Sequence, residues 1–249
     1  MTSKSEDRNN PHTETNLWVV IPAAGVGKRM RVNHPKQYLQ IMNKTVLEHT
    51  LSRFMFNPRV KGVVVVISAS DEYWPEIGNR LKTQSQINLY QADGGQERCH
   101  SVLNGLNVLS DKAQDSDWVM VHDAARPCLR ENDIQQLIDQ LWQHSVGGLL
   151  GLPVADTLKL CGENARVKRT VDRKGLWRAL TPQMFRYGKL KQALERFIAH
   201  PEKMTDEASA MEMAGFEPVM IEGCWDNIKI THPQDIAQAE LILQAQNRV

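Results

Sequence analysis

The chain alternates between short apolar runs and stretches in which apolar residues recur every three or four positions. The runs at Leu17–Ile21, Val60–Ser68 and Trp118–Val121 are apolar and largely β-branched, which is typical of strands buried on both faces. Helical spacing of apolar residues predicts helices over Thr45–Phe56 and Gln96–Leu109. Because predicted strands and helices follow one another, we expect an α/β fold with a mainly parallel sheet flanked by helices.

The rhythm breaks after a predicted strand at Gly148–Val154. Two mixed segments, Thr157–Cys161 and Arg166–Val171, are joined by a Gly-Glu-Asn sequence and predict a β-hairpin. An isolated two-stranded hairpin is marginal in water, so we expect this arm, about residues 155–175, to need a partner. Trp177–Thr181 then leads back to the sheet. The remaining predicted elements are helices over Trp74–Leu81, Asp133–Trp142, Tyr187–Ala199, Thr205–Ala214 and Pro233–Gln244, and strands over Ile87–Ala92, Pro218–Ile221 and Ile228–Ile230.

Length and charge limit the class of protein. The chain has 249 residues, of which 41% are hydrophobic, so a single domain over residues 17–249 with one sizeable core is expected. The formal net charge of +1 does not indicate the broad basic surface of a nucleic-acid-binding protein. No apolar run approaches the roughly 20 residues of a membrane span, so no membrane partner is expected.

The first residues and the cysteines bear on location. Residues 1–16 are polar, mix acids with bases and lack an apolar core, which predicts a disordered tail rather than a signal peptide or membrane anchor. The four cysteines, at 99, 128, 161 and 224, are far apart and have no histidine at ligand spacing. This pattern favours a reducing, cytoplasmic location without a zinc site or a disulfide framework.

The first candidate for chemistry follows the first predicted strand, in the sequence LWVVIPAAGVGKRMRVNHPK from Leu17 to Lys36. Glycines let backbone N–H groups approach a polyphosphate, and the cations that follow supply charge-assisted contacts to phosphate oxygens. A dinucleotide G-x-G-x-x-G loop would need glycine at Met30, and a P-loop would need serine or threonine at Arg29, so neither template fits. The alternative is a glycine turn with solvated surface cations.

Two further predicted strands are followed by candidate ligand-binding residues. Asp93–Arg98 contains paired glycines, and with Ser101 it offers a surface on which a flat base can stack. The alternative there is a tight turn with a solvated helix face. The sequence VMVHDAARP places Asp123 and Arg126 where open parallel sheets bind ligands, so Asp123 is a candidate Mg²⁺ ligand. Its alternative role is to cap the turn and pair with Arg126.

Two candidates in the last quarter of the chain are weaker. Thr205 begins a predicted helix, where a plain N-cap is the alternative, and Lys229 precedes a short apolar run, where a surface charge is the alternative. No G-x-S-x-G elbow is present and the histidines do not pair at metal spacing. Hydrolysis through a serine nucleophile is therefore not indicated.

Taken in order, these motifs resemble the 2-C-methyl-D-erythritol 4-phosphate cytidylyltransferase family. The resemblance rests on PAAGVGKRM followed by PKQY, GGQER with Ser101, VHDAARP, ALTPQ, TDEASA and DNIKIT, and it covers nearly all of Leu17 to Gln244. It implies a Rossmann-like nucleotidyltransferase fold that uses Mg²⁺ and transfers CMP from CTP to 2-C-methyl-D-erythritol 4-phosphate in non-mevalonate isoprenoid biosynthesis. It also implies a homodimer with interlocking β-arms, which would give the arm its partner.

The resemblance further implies roles for individual residues. Those implied to contact CTP are Ala23, Ala24, Gly25, Gly27, Gly95 and Ser101. Those implied to be catalytic are Arg29, Lys36, Arg173 and Lys229. Those implied to bind the sugar phosphate are Asp123, Arg126, Thr157, Arg173, Thr181, Thr205 and Lys229, with Asp123 also the metal ligand. The arm residues Thr157 and Arg173 would reach the neighbouring subunit's site.

The implied step is in-line attack by a phosphate oxygen of methylerythritol phosphate on the α-phosphorus of CTP. A phosphate monoester has its second pKa near ~6 and is largely dianionic at neutral pH, so no general base is required. One alternative is a cytidylyltransferase for another polyol phosphate, such as ribitol 5-phosphate. Another is a non-catalytic nucleotide-binding regulator, which would tolerate loss of Lys36 and Lys229. Some relatives carry a fused cyclodiphosphate synthase, for which the chain has no room after the Pro233 helix, so we expect one activity.

Overall fold

The computed structural model describes residues 15–25, 35–85 and 87–248. Its strands are β1 (Leu17–Pro22), β2 (Gln40–Ile41), β3 (Lys44–Thr45), β4 (Val60–Ile67), β5 (Asn88–Asp93), β6 (Trp118–Val121), β7 (Gly147–Pro153), β8 (Leu158–Cys161), β9 (Val167–Val171), β10 (Trp177–Arg186) and β11 (Val219–Glu222). Its α-helices are α1 (Val46–Met55), α2 (Trp74–Gln84), α3 (Arg98–Asn107), α4 (Glu131–Leu141), α5 (Tyr187–Phe197), α6 (Glu207–Met213) and α7 (Gln234–Ala245). Within the described ranges, no helix combines the length and the apolar character needed to cross a bilayer.

Seven of the strands form one sheet in the order β11-β7-β10-β6-β1-β4-β5. Strand β10 runs antiparallel to its neighbours β6 and β7, and the other paired strands of this sheet are parallel. The mainly parallel α/β sheet expected from the sequence is thus confirmed. The parallel strands β1, β4, β5 and β6 end at a common edge, which is where open α/β sheets bind ligands.

Strand β1 lies near the middle of the sheet and is buried on both faces. Leu17, Val19 and Ile21 pack with helices α1, α2 and α4, whereas Trp18 and Val20 pack with α3, α5 and α6. Each of these five side chains is 3% exposed or less. Because both faces of the strand are covered by helices, the sequence shows a continuous apolar run rather than an alternating one.

The arm forms the predicted hairpin. Strands β8 and β9 pair antiparallel with each other, from Leu158 opposite Val171 to Cys161 opposite Val167, and form a separate two-stranded sheet. On this hairpin Leu160 and Val167 are 44% and 60% exposed. The arm therefore carries apolar surface that the described part of this chain leaves uncovered.

The predicted strand over Ile228–Ile230 is wrong. The segment joins no strand of a sheet, and the Ile230 N–H instead donates to the carbonyl of Ala125, in a loop, at 2.8 Å. A short apolar run indicates burial but does not reveal whether its hydrogen-bond partner is a strand or a loop. This loop pairing matters because it brings Lys229 beside the end of β6.

The segment Trp177–Thr181, which was expected to lead back to the sheet, is the first half of strand β10. The strand continues through Pro182 to Arg186. Proline cannot donate to a ladder, so it is tolerated inside a sheet at an irregularity. The pairing of β10 with β7 has such a shift of register, between Ala179 and Gln183.

Candidate active site

Three loops meet in a cleft at the carboxyl edge of the sheet. The loop after β1 begins with the Ala23 N–H donating to Val66 of β4 at 2.7 Å, and the loop after β5 begins with the Gly94 N–H donating to Ile67 of β4 at 2.7 Å. Asp123 follows the end of β6 beside β1. The cleft has a volume of about 490 Å³. Its lining residues are Pro22, Ala23, Ala24, Gly25, Lys36, Gln37, Gly95, Gln96, Glu97, Arg98, Ser101, Asp123, Ala124, Ala125 and Lys229.

Glycine allows two of these loops to touch. A Cβ atom added to Gly94 would lie 2.3 Å from the Cβ of Ala24, closer than real Cβ atoms approach. Beside this contact the Gly95 N–H donates to the Ser101 hydroxyl oxygen at 3.0 Å, and Ser101 is only 4% exposed. The pocket wall at Gly95 is therefore bare backbone with a buried hydroxyl next to it, and Gly94 lets this wall pack against Ala24.

Asp123 is the centre of a cluster of cations. Its Oδ2 lies 2.8 Å from Lys229 Nζ and 3.6 Å from Arg126 Nε, and its Oδ1 lies 3.2 Å from Arg98. Burial pushes the pKa of Asp123 upward, but the three cations outweigh burial and hold the pKa well below its usual range. Asp123 is therefore ionised throughout the physiological pH range.

Two carbonyl contacts hold further cations at the cleft. Arg126 Nη1 donates to the carbonyl of Asn227 at 2.7 Å, and Asn227 Nδ2 donates to the carbonyl of Thr181 at 2.8 Å. Lys36 Nζ donates to the carbonyl of Ile230 at 3.0 Å. The loop before α7 thus orients cations that precede it in sequence by about a hundred residues or more, which local sequence patterns do not reveal.

His122 supports Asp123 from below. The carbonyl of Arg126 lies 3.1 Å from His122 Nε2 and can only accept, so Nε2 carries the hydrogen and donates. In the neutral ring Nδ1 then accepts from the Thr181 hydroxyl at 2.9 Å, and Thr181 Oγ1 also accepts from the Asp123 N–H at 3.1 Å. Complete burial lowers the pKa of His122 to about 4. This histidine is a neutral scaffold whose two nitrogens are both occupied.

The structure brings together most of the residues implied for the site. Those that line the cleft are Ala23, Ala24, Gly25, Lys36, Gly95, Ser101, Asp123 and Lys229. Arg126 and Thr181 lie behind it, in contact with Asp123. The pairing of Asp123 with Arg126 that was the alternative interpretation also occurs, as one of three ion pairs. Gly27 and Arg29 lie outside the described residues.

Three implied residues stand apart from the cleft of this chain. Thr205 is exposed beside α6 and is not the N-cap of that helix, because Asp206 accepts from Ser209 in a capping box. Thr157 and Arg173 are exposed on the arm, where Arg173 donates to the carbonyl of Ala155. Within one chain these side chains do not reach the lining.

Several residues of the site were not singled out from the sequence as site residues. Those that orient charged groups are His122, Asn227 and the ion pair of Arg98 with Glu207, whose atoms approach to 2.5 Å. Others that line the cleft are Pro22, Gln37, Gln96, Glu97, Ala124 and Ala125. Arg98 stood in the GGQER motif and Glu207 in TDEASA, but no local signal joins positions 109 residues apart. Among the described residues there is no group of three or more His, Cys, Asp or Glu side chains that could hold a metal ion by themselves.

A sequence model of one protein family, 2-C-methyl-D-erythritol 4-phosphate cytidylyltransferase, matches residues 17–245. This chain belongs to that family. Membership confirms the resemblance seen in the motifs, and with it the class of enzyme, a cytidylyltransferase within the nucleotidyltransferases. The alternative of a cytidylyltransferase for ribitol 5-phosphate is not favoured.

Individual family members are similar over nearly the whole chain. The 2-C-methyl-D-erythritol 4-phosphate cytidylyltransferase of Hahella chejuensis is 48% identical over 231 residues, which cover 93% of this chain and 94% of that one. The enzyme of the same name from Pseudomonas putida strain W619 is 51% identical over 221 residues, covering 88% and 92%. The crystal structure of the Francisella tularensis family member superposes with a TM-score of 0.78 at 37% identity, covering 92% of this chain and all of that one.

Proposed function

We propose that this cleft transfers CMP from CTP to 2-C-methyl-D-erythritol 4-phosphate, releasing pyrophosphate and forming 4-diphosphocytidyl-2-C-methyl-D-erythritol for non-mevalonate isoprenoid biosynthesis in the cytoplasm. The observation that carries the proposal is the cluster of cations around Asp123 beside two glycine loops. Such a cluster suits a reaction between two phosphorylated, negatively charged reactants.

The two glycine loops suit a nucleoside triphosphate. The wall at Gly95 with the Ser101 hydroxyl would hold cytosine and ribose, because a flat base stacks on bare backbone and a hydroxyl can hydrogen-bond to its polar edge. Ala23 to Gly25 line the cleft next to it, and with Gly27 they would present backbone N–H groups to the phosphates.

The reaction needs positioning rather than a base. The attacking phosphate monoester is already a dianion near neutral pH, because its second pKa is near ~6. His122, which is buried beside the cleft, has both nitrogens engaged and a pKa of about 4, so it is unsuited to accept a proton at neutral pH. This arrangement supports direct in-line attack on the α-phosphorus, with electrostatic stabilisation as the principal contribution of the protein.

Cationic side chains would supply that stabilisation. Lys36, together with Arg29, would contact the α-phosphate, and Lys229 would position the attacking phosphate. Lys36 and Lys229 line the same cleft and are oriented by a carbonyl and a carboxylate respectively. Because their positions are set before substrate binds, little reorganisation is needed as charge develops.

The residues at the cleft also fit a magnesium ion. Mg²⁺ is commonly bound through one or two carboxylates together with substrate phosphates and water. Asp123 is one ionised carboxylate in the lining, and its two oxygens offer about four lone-pair sites to three cations. Asp123 would hold the ion, which when bound would neutralise triphosphate charge and polarise the phosphoryl oxygens.

The arm would complete the site of a second subunit in a homodimer. Exposed Leu160 and Val167 give the arm an apolar surface to bury, and an isolated hairpin needs such a partner. Thr157 and Arg173 lie on or just after this arm and do not reach their own cleft. We place them at the sugar phosphate of the partner subunit, where Arg126, Thr181 and Thr205 would also contribute.

Pyrophosphate release tests the reaction. Purified protein with Mg²⁺ is incubated with CTP, UTP, ATP or GTP and either methylerythritol phosphate or ribitol 5-phosphate. We expect release with CTP and methylerythritol phosphate and far less with every other pair. A protein that binds CTP but releases no pyrophosphate with methylerythritol phosphate would contradict the proposal.

Subunit complementation tests the shared site. An Arg173→Ala subunit and a Lys36→Ala subunit are each expected to be inactive, whereas their heterodimer has one cleft with intact Lys36 and intact Arg173 from the partner. Random exchange of equal amounts should restore about a quarter of wild-type activity, since half the dimers then carry one working site of two. Lack of recovery, with mixed dimers confirmed, would show that Arg173 acts within its own subunit.

A further inference from the structure

Arg98 begins α3 and lies between two carboxylates in the wall of the cleft. Its Nη1 and Nη2 donate to the two oxygens of Glu207 at 2.5 and 3.0 Å, and its Nε donates to Asp123 Oδ1 at 3.2 Å. The side chain of Glu207 is 1% exposed and that of Asp123 is 11% exposed. The guanidinium is therefore held by two shorter bonds to the buried carboxylate of Glu207. Its contacts to Asp123, which faces the cleft, are longer, at 3.2 Å from both Nε and Nη2.

We propose that Glu207 is a positioning residue for the transfer reaction, which acts through Arg98 on Asp123. By binding the guanidinium at two atoms, Glu207 keeps Arg98 on one side of Asp123 and leaves the remaining lone pairs of Asp123 directed to the cleft. The inference rests on the proposed function, because it assigns Asp123 to the site of transfer. Arg98 has most of its five N–H donors engaged by these carboxylates, so its part is to orient rather than to bind phosphate.

The charge of the cluster determines what happens when Glu207 is neutralised. Arg98, Arg126 and Lys229 face the carboxylates of Asp123 and Glu207, so the formal charge of the cluster is +1. Neutral glutamine at position 207 changes this to +2 and frees Arg98 to pair fully with Asp123. The extra positive charge favours binding of anionic substrates. The carboxylate of Asp123, now fully paired with Arg98, can no longer stabilise the transition state.

The helix that carries Glu207 has a separate anchor. Gln183 of β10 donates through Nε2 to Asp206 Oδ2 at 2.9 Å and accepts at Oε1 from the Ala208 N–H at 2.8 Å. Both contacts remain when Glu207 becomes glutamine. The substitution therefore tests the charge of Glu207 without releasing the start of α6.

The experiment compares Glu207→Gln with a matched control on the same helix, Glu212→Gln, which removes an exposed carboxylate. Burial raises the pKa of Glu207, so the assays are run on the alkaline side of neutrality, where the ionised form is favoured. The measurements are kcat and KM for each substrate, the dissociation constants of CTP and of methylerythritol phosphate by calorimetry, and the melting temperature. A second variant, Arg98→Lys, keeps the charge but cannot span both carboxylates with a planar fork.

We expect Glu207→Gln to lower kcat about 10- to 100-fold, the range seen when supporting residues of a site are removed. KM and the dissociation constants for both substrates should stay constant or fall, and Glu212→Gln should behave as wild type. Arg98→Lys should lower kcat in the same way. An unchanged kcat in Glu207→Gln, or a loss of kcat with a matching rise in KM and a fall in melting temperature, would overturn the inference. A wild type without activity would instead refute the proposed function.

Discussion

His122 should make the stability of this protein depend on pH in a defined direction. The side chain is completely buried, and both of its ring nitrogens are hydrogen-bonded in the neutral form. Burial lowers its pKa from 6.5 to about 4, so the folded protein excludes a proton that the unfolded chain takes up below about pH 6.5. Acid therefore favours the unfolded chain, and this contribution to stability is lost as the pH falls from 6.5 toward 4.

The size of the effect follows from the shift. A displacement of about 2.5 pH units corresponds to about 3 kcal/mol of unfolding free energy lost by pH 4. That loss is large beside a typical stability of roughly 5–15 kcal/mol. Other groups titrate nearby in pH. Burial lowers the pKa of His49, which adds to the loss. Burial raises the pKa of Asp133 to about 6 and also raises the pKa of Glu207, and both act in the opposite sense.

The contribution of His122 is separated from those of the other groups by comparing the unfolding free energy of the wild type with that of a variant that lacks this histidine. Unfolding free energies of the wild type and of His122→Gln are measured by denaturant titration between about pH 4 and pH 8. The stability of the wild type relative to the variant should fall by about 3 kcal/mol from pH 7 to pH 4. The same measurement on His232→Gln, which removes an exposed histidine, is the matched control. Parallel curves for the wild type and His122→Gln would refute the neutral, buried histidine.

Three further substitutions test other parts of the structure. Asp133→Asn should raise the free energy of unfolding, measured by urea titration, by up to about 3 kcal/mol at pH 8 and leave it unchanged near pH 4. The reason is that burial raises the pKa of Asp133 to about 6, so its ionised form opposes folding. Gly94→Ala should weaken CTP binding at least about tenfold in calorimetry, because the added Cβ would lie 2.3 Å from that of Ala24. Lys36→Ala should lower kcat about a hundredfold and change KM for CTP far less in pyrophosphate-release kinetics.

Each of these substitutions has a matched control or a contradicting outcome. Gly223→Ala adds a Cβ at an ordinary contact distance of 3.4 Å from Leu150 and should leave CTP affinity unchanged. Lys82→Ala removes an exposed lysine of α2 and should leave turnover unchanged. An Asp133→Asn variant whose stability gain is the same at both pH values would contradict the raised pKa, and a Lys36→Ala variant that loses only CTP affinity would contradict a role in turnover.

The sequence alone predicted correctly those strands that are buried along most of their length. Strands β1, β4 and β6 are covered by helices on both faces, so their apolar runs had no competing interpretation. The predicted strand over Ile228–Ile230 was wrong because this apolar run is buried against a loop. The deciding partner, Ala125, is remote in sequence.

The candidate site divides in the same way. Residues inside compact motifs, such as Gly95 with Ser101, were found because glycines and a hydroxyl one helical turn apart form a local pattern. The partners that orient the cations could not be found locally. Glu207 reaches Arg98 across 109 positions, and the carbonyl of Ile230 reaches Lys36 across 194. Every residue has a backbone carbonyl, so residue types cannot show which carbonyl will bind a cation, and a motif search does not find it.

The proposed transfer without a general base and the paired cations in the described part of the cleft have the same physical origin. Two anionic reactants repel one another, and cations that are free to rotate would gain little by closing on them, because ordering each side chain costs free energy. In this cleft Lys229 is held by Asp123, Lys36 by the carbonyl of Ile230, and Arg126 by that of Asn227. The ordering is thus completed by folding rather than by substrate binding. Neutral His122 is hydrogen-bonded to the loop that contains Asp123. If this histidine accepted a proton, its positive charge would change the electrostatics on which the proposed transfer depends.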